Sequence, residues 1–294
     1  MEASKLFDNH NHTCHFSPDG EQTLDQLLQD AQNRGLKGLA LTEHFDKDVR
    51  SGEPFPAVSA YGQPAAPGEW VFDLQAYQGR LMQAQEKLDR EGSGLKLTKG
   101  IEVGYLPYQQ PTVWRYLAGF NFDTVIASVH CIDNKDIFFF QDAYRDGARA
   151  AYDKYLDLII QMLEESGDFD IVGHFDYVTR YAPGPYQRMT YQDHSERLDR
   201  MFRLMIQSGK SLEINTRTRY RLLDKTGSDI GLQDPAIIRR YLELGGELIS
   251  LSSDSHEDHN NGRFLAETAD WLYSLGVRWL CHFEARKAVP DPLD

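Results

Sequence analysis

The chain has few cysteines, and Cys14, Cys131 and Cys281 are odd in number, far apart and without a CxxC pair. That argues against a disulfide framework and points to a reducing cytoplasm. No apolar run approaches the ~20 residues of a membrane-spanning helix. Met1-Glu2-Ala3-Ser4-Lys5 leads directly into a polar, histidine-bearing segment where a secretory signal would place an apolar stretch. Basic residues are in deficit: 31 Lys and Arg against 45 Asp and Glu give a net charge of −14. A long nucleic-acid track needs Lys and Arg to replace counterions along the phosphates, so neither nucleic acid nor a membrane is an expected partner. A small anionic substrate is compatible with that charge, because a few local cations or metal ions outweigh a distant field. Neither a GxSxG elbow nor a P-loop is present, nor any internal repeat or low-complexity segment.

What is present is an alternation of strand and helix patterns. Leu6 to His10 reads as a short strand, and Thr23 with Gln26 forms a capping box for a helix that carries Leu24, Leu27, Leu28 and Ala31 and stops at Gly35. LKGLAL (36–41) is a buried strand. Asp73 caps a helix with Tyr77, Leu81, Ala84 and Leu88 on one face, and strands follow over Leu95–Glu102 and Asp123–His130. Tyr152, Tyr155, Leu156, Ile159, Ile160 and Leu163 mark the next helix, then Ile171–His174 a strand. A helix from about Ser195 ends at Gly209. Strands are expected over Ser211–Asn215, Glu247–Ser252 and Val277–His282, with helices over Pro235–Leu244 and Phe264–Leu275. This βα alternation implies a parallel barrel or a doubly wound sheet. At 294 residues and 41% hydrophobic content the chain is expected to form one barrel domain over 1–294. The stretch from about 46 to 72 breaks the pattern with four prolines, Pro54, Pro56, Pro64 and Pro67. It reads as a lid insertion, or as a surface excursion pinned by Phe55, Tyr61, Trp70 and Phe72.

Ligand-type side chains recur where strands end. Residues two apart on a strand share a face, so His10 and His12 can reach one metal ion together. The pair alone is a short motif and equally fits two surface histidines, and Asp19, within Pro18-Asp19-Gly20, equally fits a turn. His44, His130 and His174 each follow an apolar strand, Glu102 ends another, and Asp254 and His256 repeat the two-residue spacing after LISLSS. Recurrence at successive strand ends is what a barrel needs to gather ligands at one mouth, and it favours the barrel over the open sheet. Six histidines and up to three carboxylates exceed what one ion coordinates, so two or three ions are implied.

The segments HNHTCHFSPDG, LTEHFD, GIEVGY, ASVHCID, GHFDYVTRY, EINT and SSDSH, in that order, resemble the PHP family (polymerase and histidinol phosphatase), and within it the histidinol-phosphate phosphatases. The resemblance spans nearly the full chain. It implies a distorted (β/α)7-type, TIM-like barrel of the α/β class with a trinuclear centre of zinc, manganese or iron. Its metal ligands would be His10, His12, Asp19, His44, Glu102, His130, His174, Asp254 and His256.

Clustered divalent ions lower the pKa of a bridging water and neutralise phosphate oxygens, so the expected chemistry is in-line attack by hydroxide on a phosphomonoester. The expected substrate is L-histidinol phosphate, in histidine biosynthesis. The alternatives are a PHP phosphoesterase acting on nucleotides or DNA ends, and a catalytically silent metal-binding scaffold. Arg180, six residues past His174, and Arg217, after EINT on the next strand, are the candidate phosphate clamps, since a planar guanidinium binds phosphate oxygens in bidentate fashion. Arg219 and Arg221 compete with Arg217 for that role. Asp176 and His259 are near ligands in sequence but are assigned no catalytic part. Metal identity and oligomeric state are not set by these residues.

Overall fold

The computed structural model describes residues 1–46, 72–107, 110–165 and 167–293. The segment expected to form a lid therefore lies, over 47–71, outside the described residues. Phe72, at its far end, packs against Phe16 and Tyr77, ring centroids 5.0 and 5.1 Å away.

The elements run β1 (Phe7–Asp8), α1 (Leu24–Arg34), β2 (Gly38–Leu41), β3 (His44–Phe45), α2 (Leu74–Arg90), β4 (Lys96–Gly104), α3 (Gln110–Leu117) and β5 (Thr124–Ser128). A small hairpin, β6 (Cys131–Ile132) with β7 (Lys135–Asp136), precedes α4 (Ala148–Glu164), β8 (Ile171–Val172), α5 (Tyr191–Ser208), β9 (Ser211–Asn215) and α6 (Arg217–Thr226). Then come α7 (Pro235–Glu243), β10 (Ile249–Ser252), α8 (Leu265–Ser274), β11 (Trp279–Glu284) and β12 (Lys287–Pro292). The main sheet has the parallel order β1-β2-β4-β5-β8-β9-β10, with β3 also paired to β4. Its two edges meet through a parallel bridge between Asn11 and Ser255 and a hydrogen bond from the Asn9 N–H to the Leu251 carbonyl. Seven strands thus form a nearly closed barrel ringed by helices, the TIM-like fold expected from the sequence.

The barrel follows from how side-chain size alternates along each strand. Leu97, Ile101 and Val103 of β4, Leu212 and Ile214 of β9, and Ile249 and Leu251 of β10 point outward into the main core against the helices. The intervening positions are small or polar, because a narrow barrel has little interior room. A Cβ on Gly173 would collide with the Ser128 hydroxyl, and Ser211 hydrogen-bonds Ser250 across the interior at 2.7 Å. Helix ends follow the sequence signals: Thr23 and Gln26 make the reciprocal capping box of α1, and Gly35 ends it in the left-handed conformation at φ 70°. His194 has non-helical angles within α5, so its regular part begins near Ser195, as the apolar periodicity requires.

Two expectations are corrected. The run from Val277 is not a barrel strand: β11 pairs antiparallel with β12 in a separate sheet. Phe283 and Cys281 form a small apolar cluster with Ile126 and Ile171, plugging the barrel at the end away from the ligands. Residues after Asn215 do not continue a strand exit either; Arg217 opens α6. The sequence reading also missed α3 and α6, both short; Thr216, at the start of α6, makes no side-chain cap. No helix among the described residues is long and apolar enough to cross a membrane.

Candidate metal centre

All nine residues expected as ligands converge at the C-terminal mouth of the barrel. Glu102, fully buried on β4, is the hub. Its Oε1 lies 3.1 Å from His130 Nε2 and 2.9 Å from His174 Nε2. Its Oε2 lies 2.7 Å from His44 Nδ1, 3.2 Å from His10 Nε2 and 3.5 Å from His12 Nε2. One carboxylate therefore faces a different set of imidazoles with each oxygen, as a group bridging two cations must. Asp254 Oδ1 is 3.6 Å from His12 Nε2 and 3.9 Å from His10 Nε2. On the outer side, Asp19 spans His44 Nε2 at 3.5 Å and His256 Nε2 at 3.2 Å. Asp254 holds a left-handed backbone at φ 53°, a conformation costly for a non-glycine residue and characteristic of functional sites.

The donor atoms suit divalent ions. His10–His12–Glu102, Glu102–His130–His174 and His12–His44–His256 each offer three buried ligand atoms within 4.8 Å of one another. His10 Nε2, His12 Nε2 and Glu102 Oε2 are buried with no hydrogen-bond partner among the described residues. Buried polar atoms are rarely left so, and imidazole nitrogen with carboxylate oxygen is a donor set for zinc, manganese or iron.

Charges balance within the cluster. Burial would raise the Glu102 carboxyl, but the imidazoles of His10, His44 and His130 hold it well below the usual range. Burial works against charge on His130 as well, yet Glu102 and Asp46 raise it to about 10. His12 is lowered by burial and by its neighbours His44 and His10.

A second layer fixes the rings, and sequence reasoning did not find it. Glu213 Oε1 lies 2.7 Å from His10 Nδ1 and Asp46 Oδ2 lies 3.3 Å from His130 Nδ1. Glu43 accepts hydrogen bonds from Thr13 and Ser17, and Ser17 Oγ is 3.2 Å from His12 Nδ1. Such carboxylate–histidine contacts set the tautomer and aim the other nitrogen at the metal. The available signal was a carboxylate inside an apolar strand, as in SLEIN, which requires a buried partner.

Both arginines reach the mouth. Arg217 Nη1 lies 3.1 Å from Asp254 Oδ1, and Arg180 Nη2 lies 3.4 Å from Asp254 Oδ2. Arg219 turns away to Asp229 and Glu267, whereas Arg221 also lines the cavity; Arg217 is the one of the three that contacts Asp254. Other histidines lie elsewhere: His15 contacts Arg80, His194 pairs with Asp153, and His259 is exposed. His282 does not line the rim; it is buried beside Asp291 and stacked on Phe7 at 4.3 Å. Asp176 is hydrogen-bonded to Gln233.

A parallel barrel whose strand ends converge on a carboxylate shared by five imidazoles, flanked by two arginines, has the architecture of a metal-dependent hydrolase. The chain belongs to the PHP domain family, which matches residues 8–217. It is similar to the histidinol-phosphatase of Lactococcus lactis, with 26% identity over 284 residues covering 96% of each chain. The crystal structure of histidinol phosphate phosphatase from the same organism, complexed with zinc, L-histidinol and phosphate, superposes with a TM-score of 0.80 at 25% identity. That alignment covers 97% of this chain and 99% of the other.

Proposed function

We propose that this protein is a cytoplasmic, metal-dependent phosphomonoesterase, one barrel domain over 1–294, that hydrolyses L-histidinol phosphate to L-histidinol and phosphate in histidine biosynthesis. The observation that carries the reading is the placement of Glu102, with three imidazoles at one oxygen and two at the other, beside Arg180 and Arg217. His10, His12, Asp19, His44, Glu102, His130, His174, Asp254 and His256 are the proposed ligands of two or three divalent ions, zinc foremost and manganese or iron as alternatives. Bound there, such ions supply Lewis acidity toward phosphate oxygens and make a water acidic enough to attack near neutral pH. Arg180 and Arg217 orient the phosphate and offset its charge in a site where burial strengthens each contact. Tyr177, with Arg180 over its ring at 5.0 Å, holds that guanidinium at the mouth.

The test is phosphate release by metal-loaded protein from L-histidinol phosphate, beside sugar phosphates, nucleotides and a short DNA, with His130→Ala as control. Strong preference for histidinol phosphate, lost in the variant, is the expected result. Better turnover of nucleotides or DNA moves the protein to a nucleic-acid-processing branch, and no turnover at all makes it a scaffold.

A further inference from the structure

The mouth carries one buried carboxylate that the metal centre and the phosphate do not use. Asp136 lines the same cavity as His130, His174, Arg180 and Arg217 and is 4% exposed. It sits on β7, directly across the hairpin from Cys131, the residue that follows His130. The two loop residues, Asp133 and Asn134, both have positive φ, 53° and 60°, the conformation of a tight two-residue hairpin turn. The Ile137 N–H donates to the His130 carbonyl at 3.2 Å. Backbone pairing therefore fixes Asp136 relative to the metal centre.

Only one contact engages its carboxylate among the described residues: Oδ1 accepts from the Phe138 N–H at 2.6 Å. Among the described residues neither Lys nor Arg pairs with it, and the nearest charged groups are His130, Asp46 and His44. The other carboxylates around the cavity are committed or open to solvent. Asp19 and Asp254 lie among the proposed ligands, Glu257 accepts from Asn260, and Glu21 is exposed. Beside Asp136, Phe138 stands edge-on to Tyr181 at 5.5 Å and stays 47% exposed at the opening. A buried carboxylate next to aromatic faces is a receptor for an organic cation.

We propose that Asp136 is a specificity-determining residue that receives the ammonium group of a cationic amino-alcohol phosphate, with Phe138 and Tyr181 packing on its ring. This rests on the histidinol-phosphate reading and divides that substrate between two walls. Phosphate lies toward the arginines and ligands, and the cationic leaving group lies toward β7. Phosphomonoesters without a positive charge gain nothing from the second wall and leave Asp136 buried and unpaired, which selects against them.

The test uses zinc-loaded full-length protein, Asp136→Asn and Phe138→Ala, with L-histidinol phosphate and p-nitrophenyl phosphate as substrates. L-histidinol and inorganic phosphate serve as separate inhibitors. Asparagine keeps Oδ1 as acceptor for the Phe138 N–H, so the hairpin is retained while the charge is lost. In Asp136→Asn, KM for histidinol phosphate and the inhibition constant of L-histidinol are expected to rise about ten- to hundredfold, the size of one hydrogen bond to a charged group. Inhibition by inorganic phosphate is expected to shift by less than about twofold, because that end of the ligand touches other groups. Phe138→Ala, at an exposed position, is expected to weaken L-histidinol by about three- to tenfold. Equal losses toward both substrates, or unchanged L-histidinol inhibition in both variants, overturn the assignment while leaving the phosphatase reading intact. Wild-type protein that neither hydrolyses histidinol phosphate nor binds L-histidinol overturns both.

Discussion

Glu213 lies 2.7 Å from His10 through Oε1 and Nδ1, although 203 residues separate them. Each of its neighbours is a donor: the His174 N–H, the Ser252 hydroxyl, the Asn215 amide at 3.3 Å and the ring of His10. A carboxylate satisfies four donors, whereas an amide has one oxygen and must turn its NH2 toward another donor. Glu213→Gln is therefore expected to misorient His10 and weaken metal binding by about 10- to 100-fold, the usual effect of removing a carboxylate behind a ligating histidine. Zinc competition against a chromogenic chelator measures this. Unchanged affinity would show that Glu213 is only a packing group.

Thiol chemistry should separate the cysteines cleanly. Cys14 is exposed, while Cys131 and Cys281 are buried. Burial pushes the Cys281 thiol up to about 12, so its thiolate is scarce at neutral pH as well as shielded. Titration of the native protein with a thiol reagent is expected to give one fast equivalent, lost in Cys14→Ser, and all three in denaturant. Fast modification of Cys281 in the native state would mean that the hairpin carrying it opens readily.

Most of the proposed ligands were legible as candidates because they follow a strand with a residue type that a core strand does not otherwise tolerate. His44, Glu102, His130 and His174 all interrupt apolar runs, and the barrel converts that recurrence into proximity. Asp46 and Glu213 were not legible as partners, since their contacts cross between strands that only the closed barrel brings together. Asp46 also depends on Gly104 opposite, where any Cβ would strike its carboxylate. The run from Val277 misled for a related reason. A strand's apolar alternation says that one face is buried, not which sheet it joins.

That misread strand has a measurable consequence. Phe283 is 3% exposed and packs on Ile126 and Ile171, filling the barrel's far end where the strands present few large side chains. Phe283→Ala is expected to cost about 3–5 kcal/mol, because the rigid barrel wall cannot collapse into the space. Urea unfolding of wild type and variant gives the difference directly. A loss below about 1 kcal/mol would show that the C-terminal hairpin is dispensable to the barrel.

Metal should matter to stability as much as to turnover. Glu102 and the imidazoles of His10 and His12 are buried without exposure, and three of their polar atoms lack a hydrogen bond among the described residues. An ion that binds only the folded chain stabilises it by about 2.7 kcal/mol when free metal is a hundred times the dissociation constant. Chelator-treated protein is thus expected to melt several degrees lower and to recover on adding zinc. Glu102→Ala removes the carboxylate that both halves of the cluster share, so its melting temperature should not respond to zinc. Should the variant recover as wild type does, the stabilising ion sits away from Glu102, and the bridging role assigned to that residue fails.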